Sequence, residues 1–425
     1  MEAPRSGAAS QNQPLDMEFV RAQFPPLDNG WAFFENAGGS YVPRQVIDRM
    51  TTYMSETQVQ PGAAYGPSAS AFERVDGARR LMADMINARE EEIVIGPSTT
   101  LNVYVLANAL RPLFHEGDEI VVTNQDHEAN GGAWRRLSEF GMVIREWEVD
   151  SVTGELDPAD LDELLSEKTR LVCFPHVSNL VGSLNDVELI TRKAHDAGAW
   201  VCVDGVAYAP HRRMDVKAWD VDFYLFSYYK VYGPHIACLY GKRGAMTAAR
   251  NQNHFFFGEE SVTQKLNPGG MMHEAVAALQ GVADYLDRIY WHHERGNVRD
   301  AAMLFQSRLI KVSNLFAAHE ENISKPLVDY LLTREGVRLL GRATSDGSAR
   351  VPTFSFTVEG KSSAEIVAGL HRKNIAVNNH HFYAKRLLDA VGIDAEDGVV
   401  RASMVHYTSP GDVTRLVEAL HAVIK

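Results

Sequence analysis

The sequence predicts an α/β fold built on a mostly parallel sheet, followed by a smaller α/β unit. Three observations carry this. Seven short β-rich runs lie at 92–95, 119–123, 142–149, 170–174, 200–203, 222–226 and 236–240. Helix-period segments such as 157–165 and 186–197 separate several of them, and strands that alternate with helices imply crossover units with parallel pairing. The runs also fail to alternate polar with apolar residues, as in Leu171-Val172-Cys173-Phe174. Such continuous apolar stretches belong to strands covered on both faces.

The stretch from 271 to about 316 reads as long helices that leave the first unit. A strand-like run at 351–358, a helix at 363–373, strands at 375–378 and 399–404 and a closing helix at 410–424 form the second unit. The expected organisation is a disordered tail over 1–15, an N-terminal segment over 16–31 packing with the second unit, a large domain over 32–290 and a small domain over 291–425. A chain of 425 residues suits two such cores.

Apolar residues make up 45% and charged residues 23%, an ordinary globular composition. The net charge of -13 argues against a nucleic-acid or anionic-membrane surface. No run is apolar and long enough to cross a membrane, and the N-terminal residues lack the apolar core of an export signal. The expectation is a cytoplasmic protein. Its three cysteines, Cys173, Cys202 and Cys238, sit in strand-like runs. An odd count without paired spacing speaks against a disulfide framework or a zinc cage, so they are expected to be buried thiols, with no metal site.

Polar residues collect at the ends of the runs. Ser98 and Thr99 follow the first and open a helix. His127 lies beyond the second, Asn179 past the fourth, Asp204 directly after the fifth and Lys230 after the sixth. Ligands of open parallel sheets gather at the carboxyl edge of the strands, so these groups are expected to share one crevice. The set suits pyridoxal phosphate. A buried lysine is neutral often enough to react with an aldehyde, a carboxylate keeps the pyridine nitrogen protonated, a helix N-terminus suits a phosphate, and an arginine grips a substrate carboxylate. Singly, each residue has an ordinary explanation: a turn aspartate, an N-cap at Ser98 and Thr99, an ion pair at Arg401.

The ordered set Phe34-Glu35-Asn36-Ala37-Gly38-Gly39, Asp126-His127-Glu128-Ala129-Asn130, His176-Val177-Ser178-Asn179, Val203-Asp204-Gly205, Phe226 through Pro234, and Val400-Arg401-Ala402-Ser403 resembles the class V aminotransferase family of fold-type I pyridoxal-phosphate enzymes. Within it, the cysteine desulfurase-like branch is the nearest match in pattern. The resemblance implies a large domain with a seven-stranded sheet and a smaller C-terminal domain. It implies Lys230 as the Schiff-base lysine and proton carrier, Asp204 on the pyridine nitrogen and His127 stacked on the ring. It further implies Asn179 on the ring hydroxyl or substrate carboxylate, and Ser98, Thr99 and Ser227 on the phosphate. Substrate contacts would come from Arg401, Ala37 and Asn179, with Tyr65 and His381 on two loops. Gly269-Gly270 stands where the family's partner subunit reaches the phosphate, which implies a homodimer with shared sites.

The sequence departs from the branch in four places. The stretch from Val377 to Tyr383, where desulfurases carry the persulfide cysteine, reads Val-Asn-Asn-His-His-Phe-Tyr. A thiolate nucleophile needs exposure and a lowered pKa, so none of the buried-looking cysteines replaces it. Pro97 has no N–H to offer a phosphate. Ala207 stands where the branch has a glutamine, and the loop from Pro61 to Gly66 lacks its histidine. The favoured expectation is β-elimination or C–S cleavage on a small amino acid or cysteine-derived substrate without a persulfide. Transamination, epimerisation and a non-catalytic ligand-binding relative stand as alternatives.

Overall fold

The computed structural model describes residues 14–294 and 303–424. Thirteen strands form three sheets among the described residues. The central one holds seven: β2 (Ile93–Gly96), β3 (Glu119–Thr123), β4 (Val143–Trp147), β5 (Thr169–Pro175), β6 (Trp200–Asp204), β7 (Phe223–Ser227) and β8 (Ala237–Gly241), in the order β2-β8-β7-β6-β5-β3-β4. All its pairings are parallel except those of β8, which runs antiparallel to both β7 and β2.

Side chains of a strand alternate between sheet faces, and that alternation divides the interior in two. On β5, Val172 and Phe174 enter one apolar cluster while Leu171 and Cys173 enter another. On β6, Val201 and Val203 go to the first and Cys202 to the second. Both faces are apolar because both are covered by helices, which is why the runs read as unbroken in the sequence.

A second, antiparallel sheet has the order β12-β13-β10-β9 and comprises β9 (Val337–Leu339), β10 (Thr353–Val358), β12 (Asn378–His380) and β13 (Val399–Ser403). Two residues, β1 (Ala32–Phe33), pair in parallel with β11 (Ile375–Ala376). Ala32 and Phe34 lie in the apolar cluster of this second unit, with Phe354, Phe356, Val400 and Ala402. The helix Phe305–Leu332 spans both cores, giving Leu309 and Phe316 to the first and Ile323 and Leu327 to the second.

Positions 1–13 of the expected tail lie outside the described residues. Leu15, assigned to that tail, is buried in the main core. The segment 16–31 divides between the units: Val20 and Phe24 pack into the main core, while Arg21 forms an ion pair with Asp412 on the last helix at 2.7 Å. The helix starting near 305 runs on to Leu332, well past the expected end near 316. No helix among the described residues is long and apolar enough to cross a membrane.

Candidate active site

The strands β2, β3, β5, β6 and β7 point the same way, so their C-terminal ends share one edge. There Ser98, Thr99, His127, Asn179, Asp204, Ser227 and Lys230 line a crevice of about 510 Å³. The sheet dictates this meeting. Asp204 is the last residue of β6 and Ser227 the last of β7, and the short turn Tyr228–Lys230 swings the lysine back over the edge.

Ser98 caps the helix Thr99–Leu110, its Oγ accepting from Leu101 N at 3.1 Å. The ordinary N-cap explanation therefore holds for Ser98, and the capped helix N-terminus carries partial positive charge beside the hydroxyls. Thr99 Oγ1 and Ser227 Oγ are hydrogen-bonded at 2.7 Å. His127 caps the next helix, Glu128–Arg135, with Nδ1 accepting from Ala129 N at 3.0 Å. The ring is thereby fixed as the Nε2–H tautomer. Burial, then the charges of Lys230 and Arg401, push its pKa down to about 3, so it is neutral at working pH.

Asp204 accepts from Val206 N at 2.8 Å through Oδ1. Burial raises its pKa to about 6, against the opposing pull of that N–H and of Lys230. Burial lowers the Lys230 amine to about 8, helped by Arg401 and opposed by Asp204 and Glu35. At neutral pH the crevice thus holds an ionised carboxylate and an amine that gives up its proton readily.

Arg401 arrives from the second unit. On β13, Val400 and Ala402 face the smaller core, so Arg401 faces the other way, toward the crevice. Its Nη2 binds Glu35 Oε1 at 2.6 Å and its Nη1 donates to Asn179 O at 3.3 Å. Phe382 stacks on the guanidinium, 3.6 Å from carbon to ring centre. Arg401 Nε and Asn179 Oδ1 are both buried without a partner among the described residues. Asn179 spends its amide instead on Phe382 O at 2.9 Å.

The segment after β12 closes over this corner. Glu128 N donates to Tyr383 O at 2.8 Å, and the Tyr383 ring lies 5.2 Å from that of His127. Phe382 and Tyr383 have φ of 46° and 61°, a left-handed conformation that bulky residues adopt only when their surroundings enforce it. Here the hydrogen bonds to Asn179 and Glu128 supply that enforcement. His381 is half-buried on this segment, its Nδ1 accepting from Tyr383 N, and it does not line the crevice. Ala37 lies beside β13, its N–H bonded to Ser403 Oγ at 2.8 Å.

Two expected residues lie elsewhere. Tyr65 is exposed at the start of the helix Gly66–Met85. Gly270, at φ 81°, borders a separate pocket with Pro97 and Met272. Neither reaches the Lys230 crevice within this chain. Sequence reasoning in turn passed over Tyr229, which lines the crevice and stacks on His235 with ring centres 4.4 Å apart. It also gave no role to Glu35 or Phe382; the signal available for Glu35 was its place in the Phe34-to-Gly39 motif beside Ala37. The three cysteines are fully buried in the sheet. Burial raises the Cys173 thiol well above its usual value and Cys238 to about 12.

The aminotransferase class-V family matches residues 32–416 of the chain. The chain belongs to that family. Its relatives include the aminotransferase-like protein FGM3 of Gibberella zeae, 38% identical over 96% of this chain and 99% of that one. The cysteine desulfurase-like protein ustD of Aspergillus flavus is 33% identical over 99% and 94%. Among solved structures, the cysteine desulfurase of Thermococcus onnurineus superposes with a TM-score of 0.84 at 25% identity, covering 96% and 98% of the two chains. This class-V chain is a pyridoxal-phosphate-dependent enzyme.

The residues present fit that cofactor. A buried carboxylate has one oxygen engaged by a backbone N–H and the other turned to no protein donor among the described residues. A buried amine with a depressed pKa faces the same crevice, and a capped helix start with a hydroxyl pair stands at its far side. A pyridinium, an aldehyde and a phosphate are the complementary groups.

Proposed function

We propose that this class-V enzyme breaks a bond to the β-carbon of a small amino acid, C–S bonds among its targets, by β-elimination without a cysteine persulfide. One observation carries the reading: the segment sealing the crevice is His380-His381-Phe382-Tyr383, while every cysteine lies inside the sheet. A relay through sulfur needs an exposed thiolate of low pKa, and the buried, upward-shifted thiols of Cys173 and Cys238 have the opposite character.

Lys230 would hold the cofactor covalently and, once displaced by the substrate amine, would take the proton from Cα. Its depressed pKa supports that task. Asp204 would face the ring nitrogen and His127, neutral and fixed, would cover one ring face. Ser98, Thr99 and Ser227 would hold the phosphate, with Tyr229 beside them. Arg401 would grip the substrate carboxylate, its unpartnered Nε offering a further donor, while Asn179 Oδ1, an acceptor without a donor among the described residues, would take the proton of the ring hydroxyl. The bound cofactor supplies an electron sink for the pair left at Cα. Phe382 would exclude water above Arg401, and Tyr383, whose ring lies beside His127, would give the leaving group its proton. The balance is amino acid plus water to 2-keto acid, ammonia and the protonated leaving group.

A homodimer fits the same reading. Phe255 is 96% exposed and Phe256, Leu101, Tyr65 and Met272 are exposed as well, large apolar side chains that a second copy would cover. Asn253 ties the Phe255 loop to Gln264 O and Asn267 O, next to Gly269 and Gly270. A second copy covering these residues would bring its own Gly270 and Tyr65 toward the partner crevice.

The test is direct. Purified enzyme is incubated with cysteine, cysteine conjugates and other small amino acids, and pyruvate, ammonia, sulfide and amino transfer are measured separately. Pyruvate and ammonia released without any keto acid are expected. Turnover that depends strictly on a keto acid, with stoichiometric conversion of the cofactor to its amine form, would overturn the reading in favour of transamination.

A further inference from the structure

Glu35 and Arg401 form an ion pair beside the crevice whose two partners are unevenly exposed. The Arg401 side chain is 2% exposed and that of Glu35 is 23% exposed. Their contact is short, 2.6 Å, and Glu35 raises the Arg401 pKa against the lowering that burial imposes. The guanidinium uses Nη1 and Nη2, and Nε is left without an acceptor among the described residues. Its other face is closed by Phe382, so the cation cannot turn away.

Glu35 keeps a path to solvent, its side chain being 23% exposed. It folds back over the turn that follows, where a Cβ on Gly38 would stand 3.2 Å from Glu35 Oε1 and 3.4 Å from Cγ. Glycine at 38 admits the side chain in this position. Glu35 also acts on the Lys230 charge while bonded to Arg401, so it occupies the guanidinium position that a substrate carboxylate would need. Two carboxylates cannot share one buried cation without mutual repulsion. When they compete, the partner with a path to solvent yields.

We propose that Glu35 is a resident stand-in for the substrate carboxylate: it holds Arg401 aligned and charge-balanced in the substrate-free enzyme and gives way when a substrate carboxylate arrives. This rests on the reading of Arg401 as the substrate-carboxylate residue. Glu35 is therefore a positioning residue that sets how strongly a carboxylate must bind in order to enter. Substrates with a second acidic group near Cα would meet it as a repulsive element, and neutral side chains would be favoured.

The probe is 2-methylalanine, which carries the amine and carboxylate but has no α-proton to lose, titrated into holoenzyme and followed by the change in cofactor absorbance. Ethylamine, which lacks the carboxylate, is the control. In Glu35→Gln the amide oxygen can still accept from Arg401 but the competing charge is gone. The expected result is about tenfold tighter binding of 2-methylalanine (about 1.4 kcal/mol) with ethylamine unchanged. Glu35→Asp, too short to keep the contact, is expected to tighten binding as well and serves if the first variant fails to fold. Weaker or unchanged binding of 2-methylalanine in both variants overturns the proposal, because a purely structural ion pair predicts loss. Arg401→Ala separates the two layers. If it leaves 2-methylalanine binding intact, the role of Arg401 itself falls and the stand-in with it; if it weakens binding while the Glu35 variants do not tighten it, only the stand-in is lost.

Discussion

Replacing Lys230 by methionine in the cofactor-free enzyme should stabilise it at pH 7, and by an amount that disappears at high pH. The amine is lowered from 10.5 to about 8, chiefly by burial. That difference of roughly 2.5 pK units corresponds to about 3 kcal/mol at 1.36 kcal/mol per unit. The sign follows from proton linkage. Below pH 8 both folded and unfolded chains carry the protonated lysine, and the folded chain bears the full cost of a buried cation. Between about 8 and 10.5 the unfolded chain binds more protons than the folded one, so the stability of the wild type rises with pH. Above 10.5 the amine is neutral in both states and the cost is gone. Methionine has a similar length and no charge at any pH. The assay is the difference in Tm between apo wild type and apo Lys230→Met, followed from pH 7 to pH 10.5; other titrations are common to both proteins and cancel. The gap in favour of the variant should be widest at pH 7 and narrow steadily above pH 8. A gap that stays constant across the range refutes the reasoning, since it would mean that the amine is not held in a charge-disfavouring environment.

Three further outcomes follow from the geometry. Asp204→Asn keeps the shape but removes the charge that would face the ring nitrogen, so turnover should fall by about 10²-fold or more while the absorbance of bound cofactor persists; retention of full turnover contradicts the assignment. Single Cys173→Ser, Cys202→Ser and Cys238→Ser changes bury a hydroxyl inside the sheet, which should cost about 1–3 kcal/mol where it lacks a partner and less at Cys202, whose thiol already donates to Asn130 Oδ1, and lower Tm while turnover per folded enzyme holds. A variant that keeps its Tm and loses turnover would restore a sulfur relay. Gly205→Ala places a Cβ about 2.1–2.2 Å from the Tyr224 ring and hydroxyl, forcing that ring off His176, to which it is bonded at 3.0 Å. Overpacking of this kind costs about 1–3 kcal/mol, and the shift should also weaken cofactor binding through the adjacent Asp204, measured by equilibrium dialysis.

The central sheet was legible because its strands announce themselves locally. β3 and β6 fall within a residue of the runs read from sequence, since strands apolar on both faces leave an unbroken signal. The crevice was legible for the same reason: once the strand ends are known, Ser98, His127, Asn179, Asp204 and Lys230 must lie on one edge. What escaped has no local signature. β1 is two residues long and finds its partner β11 more than three hundred positions away, so nothing in Trp31-Ala32-Phe33 marks it as belonging to the second core. Glu35 was noticed as part of a motif and given no role, because its meaning depends on Arg401 arriving from a distant strand. Tyr65 and Gly270 were read as site residues through the family resemblance alone; within one chain neither touches the crevice, and their relevance hinges on the second copy proposed to cover them.

The lysine and the arginine belong to different cores. Lys230 is fixed to the seven-stranded sheet, Arg401 to β13, and the seam between them is closed by Asn179, Glu128 and the strained pair Phe382–Tyr383. The angle at which a bound amino acid presents its α-bonds to the electron sink is therefore set by how these two blocks dock. Small changes along the seam would tilt the substrate and choose which bond weakens, with every reactive group left in place. Divergence of reaction type among relatives that share this scaffold would then be sought in the hinge contacts rather than in the chemistry-bearing residues.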